Sequence, residues 1–209
     1  MELWLVRHGL TDANLEGRLQ GQLDFPLNSD GVKQATLLGK RLQRTAFAFC
    51  FSSPLLRARQ TAQIVMSASA GPPPLFAPVL LEYHWGVIQG LTRTEVKQRF
   101  PRLNAQLETN FYHTPIPGAE GLPRLFRRIE KLSCWLSRLE KTQSVNKPVL
   151  LVSHGRFLHG FMLYCLGYDY RKLKAWPFPM DNASITVLES SINGGGRLKL
   201  FNDRCHLND

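Results

Sequence analysis

The sequence is short of acid: its 209 residues carry 16 Asp and Glu against 26 Lys and Arg, a formal net charge of +10. That balance favours anionic partners but does not choose among nucleic acid, acidic membrane and phosphorylated small molecules. The basic residues are dispersed, with a mild concentration from Arg93 to Lys147, and no basic helix is interleaved with stacking aromatics. Nucleic acid is therefore not an expected partner. Cysteine is scarce as well. Cys50, Cys134, Cys165 and Cys205 are widely spaced and form no Cys-x-x-Cys or Cys/His ligand pattern. This excludes a zinc ribbon or a disulfide framework and points to reduced thiols in a cytoplasmic protein. Apolar runs stay below the ~20 residues that span a bilayer, so no membrane segment is expected. The opening "MELWLVRHG" has no basic n-region or small-residue cleavage site, so no signal peptide is expected. Internal repeats, low-complexity tracts and an obvious carboxylate cluster for a metal are missing too. Neither a metal nor a cofactor is expected.

What is present supports a real core, with 44% hydrophobic and 20% charged residues. Strand-like apolar runs at 2–6, 48–52, 78–81 and 147–152 alternate with helical periodicity. The helices are expected at 29–44 with Ser29 as cap, from Pro54 to 66, at 92–100, at 120–141 and at 156–166 before Gly167. Residues 70–74 read as a loop. Two late strands, 184–188 and 197–201, are joined through "NGGG", a hairpin signal. Such alternation predicts an α/β fold with a mostly parallel central sheet and antiparallel edges. The chain length suits one domain over 1–209, with a mostly helical insertion or lid at about 84–146.

Ligands of open α/β sheets bind outside the carboxyl ends of the strands. Those ends deliver Arg7 and His8, then Ser52-Ser53-Pro54 with Arg57 one turn later, then Glu82, then Ser153-His154-Gly155. The set has a chemistry. Arginine forks grip phosphate oxygens, and an anion held near Arg57 would relieve a cation placed at a helix N-terminus. A histidine nitrogen, on His8 or His154, can accept a phosphoryl group, while a second, protonated histidine and the arginines neutralise charge. Glu82 can protonate a leaving alkoxide. Gly9 and Gly155 serve tight turns or a close anion. Taken singly, each residue has an ordinary structural explanation; five on one rim do not.

"LVRHGLTDAN", "GRLQGQLDFPLNSDGVKQA", "FSSPLLRARQTA", "LEYHWGVIQG", "LLVSHGRFLHG" and "DNASITVLE" together resemble the histidine phosphatase superfamily, the phosphoglycerate mutase-like enzymes, over nearly the whole chain. The resemblance implies a three-layer α/β/α sandwich. It implies His8 as the phosphorylated nucleophile and Arg7, Arg57 and His154 around the phosphate, with Glu82 as proton donor. Asn14, Gln20, Gly21 and Gly155 match positions that line the phosphate or substrate pocket. The expected partner is a small phosphate ester, such as a sugar phosphate, a phosphorylated acid or an α-ribazole-type phosphate, or inorganic phosphate itself. "PIPGAEG" departs from a common Pro-Gly-Gly-Glu-Ser loop, keeping Glu120 but placing Gly121 where serine is usual. Gln89 stands where phosphatase-type members often carry glutamate, and His84 with Ile-Gln-Gly-Leu resembles glycolytic mutases. No long arginine-bearing lid segment follows, and a shorter cover favours hydrolysis. A metal-independent phosphatase is the expected function. A bisphosphoglycerate-dependent phosphoglycerate mutase is the alternative, and a non-catalytic phosphate-binding module a weaker one.

Overall fold

The computed structural model describes residues 1–209 except 70, 112, 144, 173–179, 190–194 and 209. Its centre is a six-stranded sheet in the order β3-β2-β4-β1-β5-β6. The strands are β1 (Glu2–Arg7), β2 (Phe49–Ser52), β3 (Leu75–Phe76), β4 (Val149–Ser153), β5 (Ile185–Glu189) and β6 (Arg197–Asp203). β1, β2, β3 and β4 run parallel, whereas β5 lies antiparallel to β1, and β6 to β5. All five residues of β4 are buried, as a parallel strand covered on both faces requires.

The period-2 alternation of the strands sorts their side chains into two cores. Leu3, Leu5, Phe51, Val149 and Leu151 face one core with α6 (Gly121–Gln143) and α7 (Gly155–Cys165). Val6, Cys50, Leu150 and Val152 face the other, with α2 (Ser29–Leu42) and α3 (Leu56–Ser67). This is the expected α/β/α sandwich. Between Trp85 and α6 the chain adds α4 (Arg93–Arg99) and α5 (Pro101–Asn110), so helices dominate the stretch from 84 to 146.

Local details correct several expectations. Asn28, not Ser29, caps α2, its Oδ1 accepting the Gly31 N–H at 2.9 Å. Helix α3 begins at Leu56 rather than at Pro54. Residues 78–81 are not a strand. Pro78–Leu80 form a 3-10 turn, closed by Leu80 N–H to Ala77 O and Leu81 N–H to Pro78 O. A proline with no N–H and a fixed φ opens such a turn readily, and the strand beside β2 is the two-residue β3 instead. Helix α5, with Pro101 in its first turn, was not anticipated. Gly167 does follow α7 in the left-handed region, at φ +79°. The β5–β6 pairing agrees with a hairpin, although much of its "NGGG" connection lies outside the described residues.

Candidate active site

The parallel register sets the C-terminal ends of β1, β4 and β2 side by side, with Arg7 opposite Ser153 and Val152 opposite Ser52. His8 follows directly, its N–H bonded to Ser153 O at 2.9 Å. The His8 ring is buried, and its Nδ1 lies 2.7 Å from its neighbour's carbonyl, Gly9 O. A carbonyl only accepts, so Nδ1 carries the proton and Nε2 holds the lone pair. The Arg57 Nε–H donates to that Nε2 at 3.2 Å, in agreement with this tautomer. Burial first, then Arg57 and Arg7, hold the His8 pKa well below its ordinary value. His8 is a neutral imidazole with its lone pair turned towards a guanidinium.

Arg57 occupies the first turn of α3 and is only 1% exposed. Each terminal nitrogen gives one hydrogen to backbone, Nη1 to Leu23 O at 2.8 Å and Nη2 to Gly21 O at 2.7 Å. Burial pushes its pKa down to about 10 despite the opposing pull of Glu82 and Asp24, so the side chain stays charged near neutrality. The cation at a helix N-terminus is countered by acid from elsewhere in the chain, since Asp24 Oδ1 accepts the Leu56 N–H at 2.5 Å. Arg7 donates through Nη1 to Met180 O at 2.6 Å. A methyl group on Gly155 would stand 3.3 Å from Arg7 Nε, so glycine there leaves the guanidinium its place.

His154 is fully buried, its ring centroid 5.2 Å from that of His8, and its Nε2 meets Ser53 Oγ at 2.8 Å. Burial, Arg57, His8 and Arg7 depress its pKa well below the ordinary value. Two neighbouring guanidiniums in a dry site disfavour another cation beside them. The Nδ1 of His154, the Nε of Arg7 and the Oε1 of Gln20 are buried polar atoms without a hydrogen-bond partner. Such atoms are uncommon in folded proteins and mark this rim as a place built for something polar.

Glu82 does not end a strand; it follows the 3-10 turn and reaches the N-terminus of α7. Its Oε1 accepts from Tyr83 N–H at 2.8 Å and Phe157 N–H at 2.9 Å, and its Oε2 from Arg156 N–H at 3.1 Å. Of the four lone-pair positions on the carboxylate, one on Oε2 is left. The remaining expected residues cluster nearby. Asn14 sits in the short helix α1 (Asp12–Leu15), its Oδ1 accepting from Thr11 N–H and Oγ1–H. Gln20 is buried. Gly21, at φ +52°, passes so close to the Gln89 side chain that a Cβ would collide with it.

Gln89, His84 and Glu120, singled out in the sequence, each make local contacts. Gln89 Oε1 accepts from Gln22 N–H at 2.9 Å and ties the 21–22 loop to the Trp85 turn. His84 Nδ1 accepts from Gly86 N–H at 3.0 Å. Glu120 forms a two-pronged pair with Arg128, whose other donors serve the carbonyls of Val79, Leu81 and Glu82. Arg128 is thus a clamp beneath Glu82 and not a free anion binder. Sequence reasoning placed Ser53 on the rim without a role and missed Thr61 and Asn182. Thr61 Oγ1 accepts from Gly9 N–H at 3.0 Å, and Asn182 Nδ2 donates to His8 O at 3.0 Å. Short polar residues inside apolar helices and loops carry little signal until their partners are known.

Among the described residues, no group of three or more His, Cys, Asp or Glu is arranged to hold a metal ion, and no helix is long and apolar enough to cross a membrane. Residues 3–204 match the model of the histidine phosphatase superfamily, branch 1. Phosphoserine phosphatase 1 of Hydrogenobacter thermophilus is 31% identical over 209 residues, covering 100% of this chain and 95% of that protein. "Probable phosphoglycerate mutase GpmB" of Salmonella choleraesuis is 34% identical over 192 residues, covering 90% and 85%. The crystal structure of the α-ribazole phosphatase from Shigella flexneri superposes with a TM-score of 0.84 at 27% identity, covering 97% of this chain and 96% of that one. Sequence, fold and relatives agree: this chain belongs to the histidine phosphatase superfamily, branch 1, as an enzyme of the phosphatase type.

Proposed function

We propose that the chain hydrolyses a small phosphorylated metabolite without a metal, through a phosphohistidine on His8, with residues 84–146 acting as a helical cover. The observation that carries this reading is the His8 Nε2 lone pair, prepared by the Nδ1–Gly9 bond and faced by Arg57. Incoming phosphoryl oxygens take over the Arg57 guanidinium and release the lone pair for in-line attack. The new N–P bond forms as the ester P–O bond breaks. Glu82, carrying a proton on the open position of Oε2, passes it to the departing oxygen. Water then attacks phosphorus and returns a proton to Glu82; the P–N bond breaks with its electron pair back on Nε2, and phosphate leaves. Arg7 and Arg57 balance the charge throughout, and a bound dianion favours protonation of His154.

A nearby cleft supports a site for the leaving group, joined to the rim through Arg156, whose backbone N–H donates to Glu82. A cleft of about 520 Å³ is floored by Leu19, Ile88, Val96, Leu107 and Phe111 and edged by Arg93, Lys97 and Arg156. An organic alcohol with an anionic end matches that lining. Incubation with p-nitrophenyl phosphate and a chelator tests the reaction. Phosphate release should persist, with acid-labile phosphate trapped on His8, and His8→Ala should lose at least ~10³-fold in turnover. Undiminished turnover in that variant overturns the proposal.

The 34% identity to a protein named as a phosphoglycerate mutase favours a second reading. A mutase would interconvert phosphoglycerates faster than it releases phosphate, and only with a bisphosphorylated primer. Rapid release without isomerisation eliminates it.

A further inference from the structure

Asn182 lies 174 positions from His8 in sequence, in the short turn that leads into β5. Its Nδ2 approaches three oxygens: His8 O at 3.0 Å, Gly9 O at 3.3 Å and Asn14 Oδ1 at 3.3 Å. Two of these are backbone carbonyls and accept only, which identifies the Asn182 atom as the amide nitrogen. The orientation of Asn14 is fixed in the same way. The Thr11 N–H, a donor only, points at Asn14 Oδ1 from 3.2 Å. The Thr11 hydroxyl accepts from Asn14 N–H and so turns its own hydrogen to the same Oδ1, at 2.9 Å.

We propose that Asn182 is a positioning residue that holds the nucleophile's tautomer and the polarity of the Asn14 amide together. Gly9 O is shared between His8 Nδ1–H and Asn182 Nδ2. Asn182 therefore anchors the carbonyl that keeps the proton on Nδ1 and the lone pair on Nε2. At its other contact it adds a third donor to Asn14 Oδ1, which turns the Asn14 NH₂ away from this cluster as the free end of the amide. The neighbouring backbone reinforces the arrangement. Ala183 N–H reaches Arg7 O at 3.0 Å and His8 O at 3.3 Å, and Ala183 adopts φ +55°, a conformation a non-glycine residue holds only when its surroundings demand it. The role rests on His8 being the nucleophile, but its two primary readouts do not depend on turnover.

The test uses the full chain with Asn182→Asp, which replaces the donor by an acceptor of the same shape, and Asn182→Ala, which removes the contacts without adding charge. The first readout is the ¹⁵N spectrum of His8, identified by its loss in His8→Ala. The second is binding of inorganic phosphate, and the third is kcat/KM for an aryl phosphate. The native ring should show the Nδ1–H tautomer. In the variants that signal should give way to Nε2–H or exchange-averaged nitrogens, phosphate affinity should fall several-fold, and kcat/KM should fall about 10- to 100-fold, with the thermal transition retained. A folded variant with the native tautomer and native phosphate affinity overturns the proposal, whatever its turnover. Failure of both variants to fold also overturns it, because Asn182 would then serve the fold at large. If the wild-type chain hydrolyses no ester yet its tautomer and phosphate binding respond to Asn182, the proposed hydrolysis fails and this role stands.

Discussion

The strand-end rim and the helical stretch after Trp85 handle positive charge in opposite ways. In the rim, Arg57 is buried with three of its five N–H donors on His8 and two carbonyls. In the helical stretch, Arg93, Lys97, Arg99, Arg102 and Arg124 are exposed, while Arg128 is neutralised by Glu120. Burying an arginine without a carboxylate is expensive, so a fold retains one where an anion will visit. Exposed cations cost nothing to keep and contribute little to stability. The net charge of +10 therefore describes the surface; two arginines describe the chemistry.

If that contrast is real, Arg57→Lys should be the most damaging change of a cation. Lysine cannot hold His8 Nε2, Leu23 O and Gly21 O at once, and a loss of ~10²–10³-fold in kcat/KM is expected. Arg57→Gln carries a second signature. Arg57 lowers the His8 pKa, so its removal should shift the acid limb of the kcat/KM profile to higher pH. An unmoved limb would separate Arg57 from His8.

Next in size is acid sensitivity. His8, His154 and His159 are buried with pKa values below 6.5. Below pH 6.5 the unfolded chain binds protons that the folded chain refuses, so their contribution is complete above 6.5 and is lost as pH falls. His159, pushed down to about 4, alone should withdraw roughly 3 kcal/mol between pH 6.5 and 4. Denaturation melts across that window check this; a flat stability curve would contradict it.

Arg128→Met should cost about 2 kcal/mol in stability by leaving Glu120 and three carbonyls unserved, whereas Arg124→Ala should stay within ~0.5 kcal/mol. Equal effects in urea melts would erase the distinction between clamp and surface. The smallest change expected is Gly155→Ala. Its Cβ would press on the Arg7 side chain at 3.3–3.5 Å, so KM should rise a few-fold with kcat nearly unchanged.

Much of this architecture is legible before folding. "KPVLLV" can only be a buried strand, and β4 is buried at every position. The rim residues Arg7, His8, Arg57 and His154 stand out as polar groups at the ends of apolar runs or in the turn beyond them, and they do converge. Glu82 lies near Arg7 and Arg57 but does not end a strand, since the chain before it turns as a 3-10 helix instead of extending. Pro78 is compatible with both, and only the pairing of Leu75–Phe76 with β2 decides between them. Gln89, His84 and Glu120 make local hydrogen bonds that the sequence could not show, because local sequence does not reveal which backbone groups a side chain will meet.

By itself the sequence determined the alternation of strands and helices, the two-sided sheet and the residue types at its carboxyl edge. Those follow from periodicity and from the cost of carrying charge into apolar surroundings, both of which are local. Only the tertiary structure decided orientation and electrostatic setting: a His154 pressed towards its neutral form, a His8 proton on Nδ1, a Glu82 side chain held by three N–H groups, and an Asn182 reaching across the fold to Gly9. Each depends on a partner distant in sequence or on the burial of the whole site. Electrostatic energies are set by the groups and solvent that surround a residue, and those exist only once the chain has folded.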